Sequence, residues 1–166
     1  MVKISAKLTG YLDKNKYKYD VIAHKTTFTA WDTAQTEKVK PQEVVKALVM
    51  MADKDCVIAL LSSNRKLDKK KLLKLINASR KKQALKSFKK IDFAKEAWMK
   101  KNMPGKVGAI APFGEILKKE IFMDKLLAKN RKIYLGSGEY TASIRVNTAQ
   151  YLKIEKATLG NFSTKK

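Results

Sequence analysis

The segment from Gly105 to Gly114, GKVGAIAPFG, combines residue types that leave backbone N–H groups open to a ligand. Gly108 and Gly114 lack a Cβ atom, so a ligand can come close to the main chain there. Pro112 fixes one φ angle and removes one N–H group, which stiffens the segment. The pattern predicts a strand over 107–111 that runs into a rigid loop able to hold a small polar group. An ordinary structural turn has the same signature.

Lys46 is the second unusual residue, because it lies inside the apolar run from Val44 to Met51. A lysine in such a strand is either a charged group directed at a site or an edge residue. In the second case its aliphatic stem reaches out to water, and its charge discourages pairing with another strand edge. The residues alone leave both interpretations open.

His24 and Cys56 are the only histidine and the only cysteine of the chain. A Ser-His-Asp or Cys-His arrangement would have to use His24, for which a local hydrogen bond at a strand end is the simpler interpretation. Cys56 lies in an apolar strand, as unreactive core thiols do. A structural zinc site needs about four Cys or His ligands, so we expect no metal and no cofactor. A single cysteine allows no internal disulfide, which favours a reducing compartment.

Basic side chains outnumber acidic ones by 37 to 15, which gives a formal net charge of +22. The excess is concentrated between Arg65 and Lys106, with 16 basic and 3 acidic residues. Such a field favours a polyanion, with nucleic acid ahead of an anionic membrane. Only four of the basic residues are arginines. Lysines bind phosphate as point charges and read bases poorly, so we expect contacts with the nucleic-acid backbone. A merely solvated lysine surface would have the same composition.

The length of 166 residues predicts one domain over residues 1–166. No apolar run of 18 residues is present, so no transmembrane helix is expected. The first residues, MVKISAK, lack the apolar core of a signal peptide. These features predict a soluble cytoplasmic protein. The last four residues, Ser163–Lys166, are expected to fray.

Periodicity and turn signals predict helices and strands without strict alternation. Helices are predicted over 3–14, from a Thr29 cap to about Thr36, over 69–77 behind an Asp68 cap, and behind an Asp92 cap, with helical turns over 124–129 and 148–152. Strands are predicted over 17–23, 44–51, 56–61, 107–111, 120–123, 132–135, 141–146 and 153–158. This mixture indicates an α/β (mixed α+β) fold, with a curved mixed sheet and helices on its outside.

Several short motifs follow one another in an order that resembles a known family. They are His24 with Phe28-Thr29-Ala30, Lys46 in its strand, Asn64-Arg65-Lys66-Leu67-Asp68, Gly108-Ala109-Ile110-Ala111-Pro112-Phe113-Gly114, Phe122-Met123-Asp124, and Gly136-Ser137-Gly138-Glu139-Tyr140-Thr141-Ala142-Ser143. From about residue 5 to 160 the chain resembles the YbaK / prolyl-tRNA-synthetase-associated editing domain family. The resemblance implies one compact domain with a central mixed, barrel-like sheet and no metal. It also implies hydrolysis of the ester between a wrong amino acid and a transfer RNA, often Cys or Ala on tRNA(Pro).

The resemblance also assigns roles to residues. The family's essential lysine falls on Lys46, whose ammonium would bind the carbonyl oxygen, the ribose or the terminal phosphate. Its loop falls on Gly108–Pro112. The chemistry of ester hydrolysis adds that N–H groups near Gly108–Ala111 could hold the developing oxyanion and that the substrate's own 2′-hydroxyl could activate the water. The predicted catalytic residues are Lys46, Gly108, Ala109, Ile110, Ala111 and Pro112. The predicted substrate-binding residues are His24, Thr29, Phe113, Asp124, Ser137, Thr141 and Ser143, with Thr27 and Tyr140 as further pocket candidates. For Asp124, a cap on the following turn is slightly favoured over a role in orienting Lys46.

Transfer RNA is the implied partner, through phosphate-directed contacts to its acceptor end. The predicted tRNA-binding residues are Arg65, Lys66, Lys69, Lys70, Arg80, Lys81 and Lys82. Prolyl-tRNA synthetase is a further implied partner, and neither DNA nor a membrane is expected. The alternative is a catalytically inactive tRNA-binding, RNA-binding or synthetase-associated protein on the same fold, which the charge fits equally well. The combination of Lys46 and the glycine loop favours the enzyme. Signatures of a general nucleic-acid-binding module, such as a helix-turn-helix or an aromatic-rich strand, do not occur.

Overall fold

A computed structural model describes residues 4–166, which form seven helices, ten strands and a 3-10 turn at Pro41–Glu43. The helices are α1 (Ala6–Lys14), α2 (Ala30–Glu37), α3 (Lys69–Lys82), α4 (Glu96–Asn102), α5 (Gly114–Leu117), α6 (Lys125–Ala128) and α7 (Thr148–Glu155). The strands are β1 (Tyr19–Ala23), β2 (Val45–Ala52), β3 (Asp55–Ser62), β4 (Arg65–Leu67), β5 (Ile91–Phe93), β6 (Glu120–Asp124), β7 (Lys132–Gly136), β8 (Ala142–Asn147), β9 (Thr158–Gly160) and β10 (Ser163–Lys165).

The largest sheet has five strands in the order β5-β2-β3-β6-β9. The predicted strands over 44–51 and 56–61 are present as β2 and β3, which form an antiparallel hairpin that turns at Asp53 in the left-handed region, with a φ of 52°. The β3–β6 and β6–β9 pairs are parallel, so the sheet is mixed. A second sheet, β1-β8-β7, is antiparallel, and β10 pairs with β4. The mixed α/β class predicted from the sequence is confirmed.

The two larger sheets meet at the start of β2 and then diverge. Val44, just before β2, forms a parallel bridge with Tyr134 of β7. On the same edge, β5 pairs only with Met50–Ala52. Between these contacts, the edge of β2 from Val45 to Leu48 has no strand partner among residues 4–166. This interruption of a barrel-like wall leaves room for a ligand.

The five-stranded sheet is covered on both faces, as the burial of successive β3 residues shows. Ile58 and Leu60 pack into a core cluster that includes residues of α1 and α7. The alternate residues Val57, Ala59 and Leu61 join a cluster with α3. Side chains alternate along a strand, so these are opposite faces. Lys46 pairs with Leu61 and therefore lies on the face that α3 covers.

Most predicted elements are present, and the predicted caps of two helices are confirmed. Thr29 accepts a hydrogen bond from the Asp32 N–H at the start of α2. Asp68 does the same for the Lys71 N–H at the start of α3. The start of the helix predicted over 3–14 includes residue 3, which lies outside the described residues.

Four predictions about elements are wrong. Residues 107–111 form no strand, because Gly105 and Gly108 have φ angles of 89° and 87° that turn the chain. Residues 153–158 divide between the end of α7 and the start of β9. Asp92 lies in β5 and binds the Phe93 N–H, so it caps no helix. The segment Ser163–Lys165 was expected to fray but forms strand β10, which pairs with β4. Within the described residues, no helix has the length and apolar character needed to cross a bilayer.

Candidate active site

A small cavity of about 30 Å³ lies where β2 and β7 diverge. A wider groove of about 440 Å³ opens beside it and shares Ala30, Ala47 and Gly108 with its lining. The remaining lining of the small cavity is His24, Thr27, Thr33, Val44, Val45, Ala109, Ile110, Tyr134, Leu135, Gly136, Glu139, Ala142 and Ser143. The two spaces together form a narrow pocket with a broad entrance.

Lys46 is the half-buried cation of the groove. Its Nζ donates a hydrogen bond to the backbone oxygen of Arg65 at 2.5 Å. Burial lowers the pKa of Lys46 from its ordinary value, and the positive charge of Lys166 lowers that pKa further. Lys46 is thus a weakly solvated ammonium on the edge of β2 that has no strand partner within residues 4–166, and its hydrogen bond to the chain holds it beside the groove.

The outer groove has an aromatic wall beside its cations. Phe28 and Trp31 are 59% and 41% exposed, which is unusual for large apolar side chains. The Nζ of Lys166 lies 4.9 Å from the centroid of the Trp31 ring. An exposed ring can stack on a nucleic-acid base, and an ammonium group beside it can bind the phosphates of the same strand. None of these three residues was predicted as a site residue, and β10 is what brings Lys166 to the groove.

The glycine loop borders the cavity with backbone N–H groups that have no hydrogen-bond partner among residues 4–166. These are the N–H groups of Gly108 and Ile110, which both line the cavity. Gly108 cannot be replaced without movement, because a Cβ atom there would lie 2.2 Å from the Phe28 backbone oxygen. A Cβ atom on Gly136 would meet the Ile110 oxygen at the same 2.2 Å. The backbone segments that surround the cavity therefore fit closely against one another.

Hydrogen bonds from three directions hold the loop in place. The Gly138 N–H donates to the Ala109 oxygen at 2.6 Å, and the Tyr140 hydroxyl donates to the Val107 oxygen at 2.6 Å. At the far end, the Tyr151 hydroxyl donates to the Pro112 oxygen at 2.5 Å. These bonds occupy carbonyl groups of the loop and leave N–H groups free for a ligand.

Behind the loop, the Glu155 carboxylate accepts three hydrogen bonds. One comes from the Gly114 N–H at 2.7 Å, and the others come from the hydroxyls of Tyr11 and Tyr17. Burial, together with this carboxylate, raises the pKa of both tyrosines. Both tyrosines therefore remain neutral hydrogen-bond donors to Glu155 at ordinary pH. Their bonds hold the carboxylate that anchors the loop at Gly114.

Polar side chains line the inner wall of the cavity. The Nδ1 of His24 lies 2.8 Å from the Lys25 backbone oxygen. A carbonyl only accepts, so Nδ1 carries the proton, and in the neutral ring Nε2 accepts from the Ser143 hydroxyl, 3.0 Å away. The Lys25 contact is local, and the Ser143 contact joins His24 to β8. The hydroxyls of Thr27 and Thr33 are 2.7 Å apart on the same wall.

Some predicted site residues lie together at the cavity and the groove. They are Lys46, Gly108, Ala109, Ile110, His24, Thr29 and Ser143. The others lie elsewhere. Ala111 and Pro112, at the end of the loop, and the following Phe113 are buried and line neither space. Ser137 turns away to the Ala142 oxygen, and the exposed Thr141 lines neither space, although its backbone oxygen accepts from the His24 N–H.

Asp124 is placed differently from either sequence interpretation. It is 1% exposed, so it is remote from substrate, and its side chain does not cap α6. Its carboxylate instead accepts from the Phe162 N–H and the Ser163 hydroxyl. Ser163 in turn accepts from the Arg65 side chain, whose backbone oxygen binds Lys46. Asp124 thus reaches Lys46 only through β10 and β4.

The predicted tRNA-binding residues divide by residue type. The side chains of both arginines are engaged within the protein, Arg65 with Ser163 and Arg80 with the Lys86 oxygen and the Phe88 ring. Lys69 forms an ion pair with Asp92 at 3.3 Å. The exposed members are Lys66, Lys69, Lys70, Lys81 and Lys82. In the described part of the chain, no group of three or more His, Cys, Asp or Glu residues is placed to hold a metal ion.

Comparison with known proteins identifies the class to which this site belongs. The sequence profile of the aminoacyl-tRNA editing domain matches residues 24–154. This match covers more than three quarters of the chain, which therefore belongs to the aminoacyl-tRNA editing domain family. The resemblance inferred from the motifs is confirmed. Among curated proteins, none matches this sequence.

Solved structures share the fold at low identity. A crystal structure described as "a putative trans-editing enzyme for prolyl tRNA synthetase" matches with a TM-score of 0.80 and 18% identity, over 98% of this chain and 99% of that one. The crystal structure of a hypothetical protein matches with a TM-score of 0.79 and 16% identity, over 95% and 99% of the two chains. A scaffold protein used for epitope grafting matches at 0.74 and 17%, over 96% of each chain. At these identities the likeness establishes the fold alone.

Proposed function

We propose that this chain, acting as a single cytoplasmic editing domain, is a trans-acting deacylase of mischarged transfer RNA. Its most favoured substrates are Cys- and Ala-tRNA(Pro). One observation carries the proposal beyond family membership. A weakly solvated lysine lines a groove that adjoins a small cavity, and a loop with N–H groups that make no hydrogen bond within residues 4–166 borders both spaces.

The volume of the cavity supports a small amino acid. At about 30 Å³ it is much smaller than the groove of about 440 Å³ beside it, so it favours a short side chain. The side chains of Ala, Ser and Cys would fit such a cavity more readily than the ring of proline. The correctly charged Pro-tRNA(Pro) would therefore be excluded by size, while discrimination among the small residues would be weak, about 1–3 kcal/mol.

The ester would react at the mouth of the cavity. The Gly108 and Ile110 N–H groups would bind the carbonyl oxygen and stabilise the negative charge that forms there. A water attacks the carbonyl carbon, its proton passes by way of the 2′-hydroxyl of the terminal ribose, and the 3′-oxygen leaves as a hydroxyl. Lys46 would hold the ribose or the terminal phosphate in the groove. No protein base and no metal is required on this route.

The position of the lysines supports a tRNA partner. Lys46 lies on the sheet face that α3 covers, and α3 carries the exposed Lys70, Lys81 and Lys82. An acceptor stem that delivers its end to the groove would therefore have these cations on the same side. Prolyl-tRNA synthetase, which must release the mischarged tRNA, is the proposed further partner.

Deacylation assays test this proposal directly. Purified protein is incubated with tRNA(Pro) charged separately with Cys, Ala or Pro, with Lys46→Ala as the test variant and the exposed Lys125→Ala as a matched control. We expect rapid loss of Cys or Ala, retention of Pro, and no effect of EDTA. Lys46→Ala should slow the reaction about 100–1000-fold while circular dichroism shows an unchanged fold. Tight tRNA binding with no loss of any ester would favour the catalytically inactive binding protein instead.

A further inference from the structure

A second cavity of about 140 Å³ lies directly behind the small one. Three residues, Thr33, Tyr134 and Ser143, line both spaces. They therefore form a shared boundary, or partition, between the two cavities. The second cavity is otherwise lined by Ile22, Glu37, Val39 and Arg145. Its volume is several times that of the first, and nothing in the proposed reaction uses it.

The partition is a fixed wall, because hydrogen bonds hold its smaller members. The Thr33 hydroxyl donates to the Thr29 backbone oxygen at 3.1 Å and accepts from the Thr27 hydroxyl at 2.7 Å. Thr33 is only 9% exposed, and its two hydrogen bonds hold the side chain in this position. Ser143 is held in the same way by His24.

We propose that Thr33 is the specificity-determining residue of this site, and that its side chain sets the upper size limit of the amino acid. Removal of two heavy atoms there joins the two cavities into one. The enlarged space would take a long, flexible side chain such as that of methionine, which can pass through a narrow opening. This inference rests on the proposed function, since it identifies the first cavity as the place of the amino-acid side chain.

Thr33 is the member of the partition that can be tested without disturbing the rest of the site. Tyr134 is a buried residue that packs with Ala34 and Val44, and its removal would damage the core. Ser143 is tied to His24, so its removal would also release the histidine. Thr33→Ala deletes the hydroxyl and one methyl group, whereas Thr33→Val removes the hydroxyl and its two hydrogen bonds but keeps a side chain of about the same shape.

The experiment compares esters of alanine and methionine on one tRNA(Pro) acceptor minihelix. Wild-type protein should hydrolyse the alanyl ester and leave the methionyl ester at its spontaneous rate. Thr33→Ala should increase hydrolysis of the methionyl ester at least about 10-fold, the range for a change of one or two carbons in a pocket. Thr33→Val should show no such gain. Thr36→Ala, an exposed position on the same helix, should match wild type with both esters.

Two outcomes would overturn the proposal. Hydrolysis of the alanyl ester by Thr33→Ala with no gain on the methionyl ester would show that the partition does not limit size. An equal gain by Thr33→Val would assign the effect to lost hydrogen bonds rather than to volume. If no variant hydrolyses any ester, the deacylase proposal fails, and calorimetry with the stable 3′-amide analogues of alanyl- and methionyl-adenosine tests the partition separately. There, binding of the methionyl analogue by Thr33→Ala alone supports the partition, and any other pattern rejects it.

Discussion

At the scale of single residues, Lys46 is a cation in surroundings that disfavour its charge. Burial is the main cause of its lowered pKa, and Lys166 is the second. The Arg65 backbone oxygen accepts a hydrogen bond from its ammonium, whereas the positive charge of Lys166 repels it. If the ammonium binds substrate, activity falls as pH rises through this lowered pKa. Removal of Lys166 should raise the pKa of Lys46 and move the fall to higher pH.

This expectation can be checked with Lys166→Ala and its neighbour Lys165→Ala, which is also exposed. We expect the alkaline limb of kcat/KM, corrected for spontaneous ester hydrolysis, to shift upward only in Lys166→Ala. The sign for stability is opposite to that for activity. Below the folded pKa, the burial of a charged Lys46 opposes folding, and this penalty is relieved as pH rises through that pKa. An alkaline limb that stays in place in Lys166→Ala would remove Lys166 from the electrostatics of the site.

At the scale of elements, the glycine loop depends on backbone freedom at Gly108. Its φ of 87° is rarely adopted by other residues, and an added Cβ would overlap the Phe28 oxygen. We expect Gly108→Ala to lower the free energy of unfolding by about 1–3 kcal/mol and to slow deacylation by about 100-fold through displacement of the loop. Urea denaturation and ester hydrolysis measure the two effects.

Gly10 offers a matched control for that substitution. It lies within α1, and an added Cβ there would meet no atom within 4 Å. Gly10→Ala should therefore raise the free energy of unfolding by about 1 kcal/mol, because alanine is the better helix former, and leave activity unchanged. Equal destabilisation by both variants would contradict the role assigned to the loop.

The same loop illustrates how far the sequence predicts the elements. The residue types predicted a rigid segment with open N–H groups, which agrees with the structure, but the apolar run 107–111 was interpreted as a strand. Its carbonyls bind Gly138, Tyr140 and Tyr151 from elsewhere in the chain, and no local pattern records such partners. Strand β10 was missed for a similar reason. Three residues, STK, show no apolar alternation, and only β4 gives them a partner.

The candidate site likewise contains residues that the sequence predicted and residues that it did not. Lys46, Gly108 and His24 were predicted because their types are rare in their settings or match family motifs. Thr33 and Lys166 were not predicted, because a threonine in a helix and a lysine among many carry no local signal. Their significance arises only from position, in the partition between two cavities and above the Trp31 ring. Which residues share a cavity is a property of tertiary packing that spacing along one chain does not determine.

At the scale of the whole molecule, the exposed lysines can be assigned to the two sides of the five-stranded sheet. Helix α3 covers one face of the sheet, while α1 and α7 contribute to the core on the other. Exposed lysines occur on both sides, so composition alone does not distinguish a binding face from a solvated surface. Lys70, Lys81 and Lys82 belong to α3, the side on which Lys46 also lies. Lys16, Lys18 and Lys153 adjoin α1 and α7 on the other side.

Two triple variants with the same charge change distinguish these surfaces. Replacement of Lys70, Lys81 and Lys82 by glutamate should weaken tRNA binding strongly and reduce the slope of log K against log salt, because phosphate contacts and the counterions they release are lost. Replacement of Lys16, Lys18 and Lys153 by glutamate changes the net charge equally, so it should reproduce only the general loss of attraction. Binding is measured by fluorescence anisotropy over 50–200 mM salt, where several phosphate contacts predict a steep fall in wild-type affinity. Equal effects of the two variants would mean that α3 is no more than a solvated lysine surface, and a flat salt dependence in wild type would argue against phosphate-directed recognition altogether.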